Sequence, residues 1–71
     1  MRVPILSGRA IVKALAKVGY CEVRQRGSPI RLSCAGKRSI TVPDHKVVGR
    51  GLLKKILSDA ELSAKDFMNL L

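Results

Sequence analysis

Residue types that transfer protons are scarce in this sequence. Its one histidine, His45, supplies the only imidazole, the side chain that most readily exchanges a proton near neutral pH. His45 lies between Asp44 and Lys46, and Asp44 could orient the ring, although adjacent side chains often point apart. A single histidine in a polar loop is more often an ordinary surface residue, so His45 is a weak catalytic candidate. Ser28 has no neighbouring base that would activate it as a nucleophile.

The sequence does not predict a metal site. Cys21 and Cys34 are the only cysteines, whereas a zinc site takes four ligands at short paired spacings. Both fall in alternating apolar patterns, which predicts that they are small core residues. No glycine motif for a nucleotide or dinucleotide is present. We therefore expect no metal and no small-molecule cofactor.

Charge is the strongest signal in the composition. The 71 residues include 14 Lys and Arg and 5 Asp and Glu, a net charge of +9. Residues 1–43 carry +8 of this charge and contain a single acid, Glu22. A compact domain with such a charge repels itself, so we expect a polyanionic partner: nucleic acid, an acidic protein or an anionic membrane. The alternative is a basic surface that only keeps a small protein in solution.

The length permits one domain, residues 1–71, with one thin core between two layers. Barrels, doubly wound nucleotide-binding folds and multi-domain enzymes are too large for it. We expect no signal peptide, because the N-terminus has no apolar run of the needed length, and no membrane span, because no stretch approaches about 20 apolar residues. These features predict a cytoplasmic protein.

Hydrophobic periodicity predicts the elements that position the polar residues. Ser7 is a suitable N-cap and Gly19 a suitable C′ residue for a first helix. Alternation then predicts strands within residues 20–25, 30–34 and 39–42, joined by short turns. Short turns between consecutive strands imply an antiparallel sheet.

The C-terminal part follows as a loop over residues 43–51, a second helix to about Asp59, and a short third helix. Ser63 and Asp66 form a capping box at the start of that third helix. The predicted fold is therefore α+β, in the order α-β-β-β-α, with a three-stranded antiparallel sheet and a short C-terminal helix.

The outward side chains of the sheet form the candidate binding surface. We expect Val23, Leu32 and Ile40 to point to the core. The opposite face then carries Glu22, Arg24, Arg31, Ser33, Ser39 and Thr41, with Arg26, Lys37 and Arg38 at its ends. Such a surface suits phosphate and 2′-OH contacts better than base readout. The alternative is an ordinary solvated sheet face.

Four stretches resemble the HicA (YcfA-like) family of mRNA interferase toxins from type II toxin–antitoxin systems. They are LAKVGY at the end of the first helix, VRQRGSP, KRSITVPDH and GRGLLKKILSDAELSAKDFMNLL. The family counterparts of the last three are RQKGSH, TVPxH and GTLRxILKxAGLSxEEFLxLL. The order and spacing of these stretches together cover nearly the whole chain.

This resemblance implies a fold like the double-stranded RNA-binding domain and an endoribonuclease that cleaves mRNA without a metal. It also implies a HicB-like antitoxin that covers the active surface. The family's catalytic histidine directly follows the Gly-Ser of the turn, where this sequence has Pro29. Proline has no titratable group and cannot act as acid or base. Three explanations remain open: a weakened or inactive toxin, an RNA binder that does not cut, or chemistry moved to His45.

We expect a HicA-like protein that binds RNA and whose nuclease activity is in doubt. The expected RNA contacts are Arg24, Arg26, Gly27, Ser28, Arg31, Lys37 and Arg38, with His45 and Lys46 nearby. The alternative function is a non-catalytic protein-interaction module that binds an acidic antitoxin or regulator. A helix on a membrane surface fits less well, because the apolar residues of the first helix are needed for the core.

Overall fold

The computed structural model describes residues 3–23 and 29–71. The elements, in order, are α1 (Gly8–Ala16), β1 (Cys21–Val23), β2 (Ile30–Ser33), β3 (Ile40–Val42), α2 (Arg50–Asp59) and α3 (Ala64–Met68). The strands form one antiparallel sheet in the order β1-β2-β3. The predicted α+β fold, with a three-stranded antiparallel sheet and a short C-terminal helix, is confirmed.

Helix α1 begins and ends at the predicted signals. The Ser7 hydroxyl accepts a hydrogen bond from the Ala10 N–H at 3.1 Å, which makes Ser7 the N-cap. Beyond the last turn, Gly19 has a φ of +101° and its N–H donates to the Ala16 carbonyl at 3.2 Å. The next N–H in the chain bonds to the Leu15 carbonyl at 3.3 Å. These two bonds are a Schellman motif, in which glycine tolerates the left-handed conformation.

The core lies on one side of the sheet. Helices α1 and α2 both pack against β3. The buried side chains of the helices and of β2 and β3 include Ile11, Leu15, Ile30, Leu32, Ile40, Val42, Leu53, Ile56, Leu57 and Phe67. The described residues leave the other side of the sheet exposed, as expected for a two-layer antiparallel fold. Among the described residues, no helix is long and apolar enough to cross a membrane.

Strand β1 presents the opposite face from the one that the sequence predicts. The register pairs Glu22 with Leu32 and Leu32 with Ile40, so Glu22 lies on the core side of the sheet. Val23 pairs with Arg31 on the open side, and 40% of its surface is exposed. The predictions that Val23 points to the core and that Glu22 points away from it are therefore wrong.

The burial of Tyr20 explains this orientation. Tyr20, immediately before β1, is only 3% exposed. Because alternate residues of a strand share a face, Glu22 follows Tyr20 to the core side while Cys21 and Val23 face outward. Cys21 is exposed, so the prediction that it is a core residue is wrong, whereas Cys34 is partly buried against the core. An aromatic ring buries more apolar area than a thiol, which favours this phase of the alternation.

The stretch predicted as a loop, residues 43–51, contains more structure than its sequence indicates. Val48 forms an antiparallel bridge with Leu6, and its N–H donates to the Leu6 carbonyl at 2.7 Å. Helix α2 begins at Arg50, so Gly51 lies within the helix and not in the loop. The bridge places the segment before α1 beside the segment before α2.

Candidate nucleic-acid interface

The open side of the sheet carries a group of exposed residues that we call the outer face: Cys21, Val23, Arg31, Ser33 and Thr41. Val23, Arg31 and Thr41 form one row across the three strands, and Cys21 pairs with Ser33. Ser39, immediately before β3, is also exposed. The outer face therefore has one guanidinium and several hydroxyl groups, and none of its residues is acidic.

Glu22, the only acid in residues 1–43, is held away from the outer face. Its carboxylate oxygens lie 3.2 and 3.4 Å from Nη1 of Arg9 on α1. Nε of Arg9 also lies 3.6 Å from Oδ1 of Asp44, in the loop after β3. Within the described residues, Arg31 makes no ion pair. An anion that approaches the outer face therefore meets Arg31 without a competing carboxylate from these residues.

Lys37 and Arg38, both predicted as RNA contacts, lie in the turn between β2 and β3 and are tied to the end of α2. Nζ of Lys37 donates to the Ala60 carbonyl at 3.4 Å, and Nη1 of Arg38 lies 3.7 Å from Oδ1 of Asp59. Cations at a helix C-terminus interact favourably with the helix dipole. The Arg38 side chain remains 76% exposed, so it can still contact a phosphate.

Tyr20 stabilises this turn from the core side of the sheet. Its hydroxyl donates to the Arg38 carbonyl at 3.2 Å. Burial raises the pKa of Tyr20 above its ordinary value of 10.0, and Cys34, Glu61 and Asp59 raise it further through charge. The neutral phenol is therefore the form that the folded protein favours, and it fixes the backbone of the turn.

Pro29, where the resemblance expects a histidine, and His45 lie at the same end of the sheet. Pro29 immediately precedes β2 and Pro43 immediately follows β3, and these two strands are antiparallel. His45 comes two residues later, and its carbonyl accepts a hydrogen bond from the Gly8 N–H at 2.9 Å. Within residues 3–23 and 29–71, the exposed imidazole of His45 makes no hydrogen bond or ion pair. Lys46 beside it is also exposed.

The structure divides the residues that the sequence proposed as one site. Arg31 lies on the outer face, Lys37 and Arg38 at one end of the sheet, and His45 and Lys46 at the other. Four predicted contacts, Arg24, Arg26, Gly27 and Ser28, lie outside the described residues. In the described part of the chain, no His, Cys, Asp and Glu side chains are grouped as a metal site requires.

Sequence reasoning missed the role of Arg9. Its helical spacing with Lys13 and Lys17 is typical of a solvated basic stripe, whereas in the structure it joins α1 to β1 and to the loop after β3. A signal was present in Glu22, the only acid among nine basic residues of the first 43. A lone carboxylate in such surroundings finds a cationic partner.

A family model described as HicA toxin of bacterial toxin-antitoxin matches residues 8–62. The match runs from the start of α1 to beyond the end of α2. The comparison with curated proteins gives no match, and neither does the comparison with solved structures.

Proposed function

Because this chain belongs to the HicA toxin family of bacterial toxin–antitoxin systems, we propose that it is an RNA-binding toxin with slow or absent mRNA cleavage. Its outer face and the two ends of the sheet hold the phosphodiester backbone, and its nuclease site lacks the expected proton carrier. A HicB-like antitoxin is its protein partner.

The observation that supports RNA binding is that Arg31 lies on the outer face. None of the residues of that face is acidic. Hydroxyl groups of Ser33 and Thr41 lie on the same face. Guanidinium and hydroxyl groups are the side chains that most often contact phosphate and sugar oxygens. Tyr20 and Phe67, the only Tyr and Phe of the chain, are 3% and 0% exposed. The chain therefore recognises the RNA backbone and not stacked bases.

Slow or absent cleavage follows from Pro29. Metal-independent cleavage needs a base for the 2′-OH, an acid for the leaving oxygen, and donors that stabilise the phosphate charge. Arginine and lysine supply donors, but Pro29 cannot transfer a proton. Its exposed position before β2 is where the family resemblance places the catalytic histidine.

His45 is the residue that could partly compensate, because it lies at the same end of the sheet as Pro29. The resemblance includes a histidine in the corresponding TVPxH stretch, so His45 is not a new group in this chain. We propose that His45 and Lys46 contact RNA and that His45 does not restore efficient cleavage.

RNA binding can be tested by the fluorescence anisotropy of a labelled, structured mRNA fragment at several salt concentrations. If Arg31 contacts a phosphate, Arg31→Ala weakens binding to all sequences and lowers the slope of log K against log salt by about 0.7 to 0.9. Lys65→Ala removes the same charge from exposed α3 and serves as the control. Equal salt slopes for both variants and the wild type would refute the placement of RNA on the outer face.

The same experiment separates the alternative function. A chain that binds its antitoxin but no RNA at physiological salt would be a protein-interaction module, and the RNA-binding proposal would fail. The net charge of +9 favours an acidic partner in either case.

A further inference from the structure

Two large apolar side chains are unusually exposed beside the bridge between Leu6 and Val48. Ile5 is 52% exposed and Val47 is 63% exposed, while Val48 is 1% exposed. The bridge is antiparallel, and the two exposed side chains belong to the residues that immediately precede its members. We call Ile5 and Val47 the bridge patch.

The bridge brings together the two segments that carry these side chains. Leu6 and Val48 are paired, with the Val48 N–H donating to the Leu6 carbonyl at 2.7 Å, so their neighbours Ile5 and Val47 lie on adjacent segments. The segment is also fixed by Arg50, whose Nε donates to the Val3 carbonyl at 2.9 Å. The bridge patch is therefore a preformed feature on an anchored segment.

Basic groups border the bridge patch. Lys46 precedes Val47 in sequence and is exposed. Arg50 is exposed and lies against the Val3 carbonyl, two residues before Ile5. Within the described residues, neither Lys46 nor Arg50 forms an ion pair. An apolar centre with a cationic rim matches a partner that offers an apolar side chain flanked by carboxylates.

We propose that the bridge patch is a docking site for an acidic segment of the protein antitoxin, separate from the outer face. The inference rests on the proposed function in one respect, the existence of that antitoxin. Ile5 and Val47 fill an apolar contact, and Lys46 and Arg50 pair with acidic residues of the partner. The antitoxin thereby holds the toxin at a second point, whose apolar centre is not part of the outer face.

Charge decides between the two proteins that could cover this patch. A second copy of the chain would bring another charge of +9 and an equally basic rim to the contact, which opposes association. An acidic partner gains from the same charges, through a faster association rate and through pairing at the rim.

The test measures the affinity of the full chain for the purified HicB-like antitoxin encoded beside it. We expect the double substitution Ile5→Ser with Val47→Ser to weaken antitoxin binding about tenfold or more. Leu71→Ser is the matched control, because Leu71 is 53% exposed and lies elsewhere, and it should change the affinity less than about twofold.

A second pair of variants tests the cationic rim. Lys46→Glu should weaken antitoxin binding and slow association at low salt, while Lys65→Glu, which makes the same change in charge on α3, should have a smaller effect. All variants are first compared with the wild type by circular dichroism and thermal unfolding. Because the replaced side chains are exposed, we expect the variants to fold.

Several results would overturn the proposal. They are the absence of antitoxin binding by the wild type, or unchanged affinity in both the double variant and Lys46→Glu. A wild-type dimer that dissociates in the double variant would assign the patch to a second copy. Binding to phosphatidylglycerol vesicles that the double variant loses would assign it to a membrane. Antitoxin binding through the patch without RNA binding would leave this inference intact and refute the RNA proposal.

Discussion

Arg9 and Glu22 form an ion pair, with Nη1 and Oε1 3.2 Å apart, that joins the first turn of α1 to the edge strand β1. Their side chains are 59% and 47% exposed, and such exposed pairs contribute only about 0–1 kcal/mol to stability. The effect of this pair is positional. The register of β1 places the only acid of residues 1–43 on the helix side of the sheet, and the pair with Arg9 keeps its carboxylate there, away from the outer face.

This orientation predicts that Val23→Glu weakens RNA binding. The new carboxylate would lie in the row of Arg31 and Thr41 and repel a bound phosphate by about 1 kcal/mol, or about fivefold in affinity. Val23→Thr keeps the size without the charge and should bind RNA as the wild type does. Fluorescence anisotropy measures both. If the Glu variant binds as tightly as the Thr variant, RNA does not occupy the outer face.

Gly8 is predicted to be essential for the docking of α1. A Cβ at this position would overlap the carbonyl oxygen of Pro43, so Gly8→Ala must displace that loop. We expect the variant to lose about 2–3 kcal/mol of unfolding free energy in urea denaturation. In Gly51→Ala, the control, nothing lies within 4 Å of the added Cβ, and a gain of about 0.5–1 kcal/mol is expected from its place in α2. A Gly8→Ala variant as stable as the wild type would contradict this packing.

Glu61 is predicted to destabilise the protein through its backbone conformation. Its φ is +59°, in the left-handed region, and its N–H and the next one bond to the carbonyls of Ser58 and Leu57 at 3.1 and 2.9 Å. This is a C-terminal cap that favours glycine. We expect Glu61→Gly to raise the unfolding free energy by about 1 kcal/mol over Glu61→Ala, which removes the same charge and keeps the strain. Equal stability of the two variants would show that residue 61 is unstrained.

The buried phenol of Tyr20 predicts that the protein loses stability at alkaline pH. Burial, followed by the charges of Cys34, Glu61 and Asp59, raises the pKa of its phenol above the ordinary 10.0. The folded protein holds this proton more tightly than the unfolded chain does. The contribution of protonated Tyr20 to the free energy of unfolding is therefore complete below pH 10 and is lost as the pH rises through the pKa of the folded state.

This loss can be followed through phenolate absorbance, since Tyr20 is the only tyrosine. Tyr20→Phe should reduce the loss of stability at alkaline pH. At neutral pH it should lower the free energy of unfolding by about 1 kcal/mol, because the Arg38 carbonyl loses its hydrogen-bond donor. Titration of Tyr20 with a midpoint at its ordinary pKa, in a protein that circular dichroism shows to be folded, would contradict the burial of the phenol.

Much of the fold could be predicted because its signals are local. Ser7 and Ser63 are N-caps as expected, with hydroxyls that accept from the N–H groups of Ala10 and Asp66 at 3.1 and 3.0 Å. The face that β1 presents to the core could not be predicted from alternation. Either set of alternate residues in β1 could have faced the core. The burial of Tyr20 beneath the turn between β2 and β3 decides between the two.

The site was less predictable, because its charges find partners far away in sequence. Alternation was enough to place Arg31 on the outer face. The contacts of Lys37 and Arg38 with the end of α2 depend on how that helix packs. The contacts of Arg9 depend in the same way on how α1 packs. The bridge between Leu6 and Val48 joins two segments without strand periodicity, so no sequence pattern indicated it.

The most direct test of an RNA-binding toxin without an efficient proton carrier is a metal-free cleavage assay. The native chain and Pro29→His are incubated with the same structured mRNA in excess EDTA, and cleavage rates are compared. A general acid or base contributes about 10²- to 10⁴-fold, and since proline also fixes the backbone, we expect Pro29→His to recover only part of this. The prediction is slow or absent cleavage by the native chain and faster cleavage by Pro29→His. Rapid cleavage by the native chain that His45→Ala abolishes would contradict it.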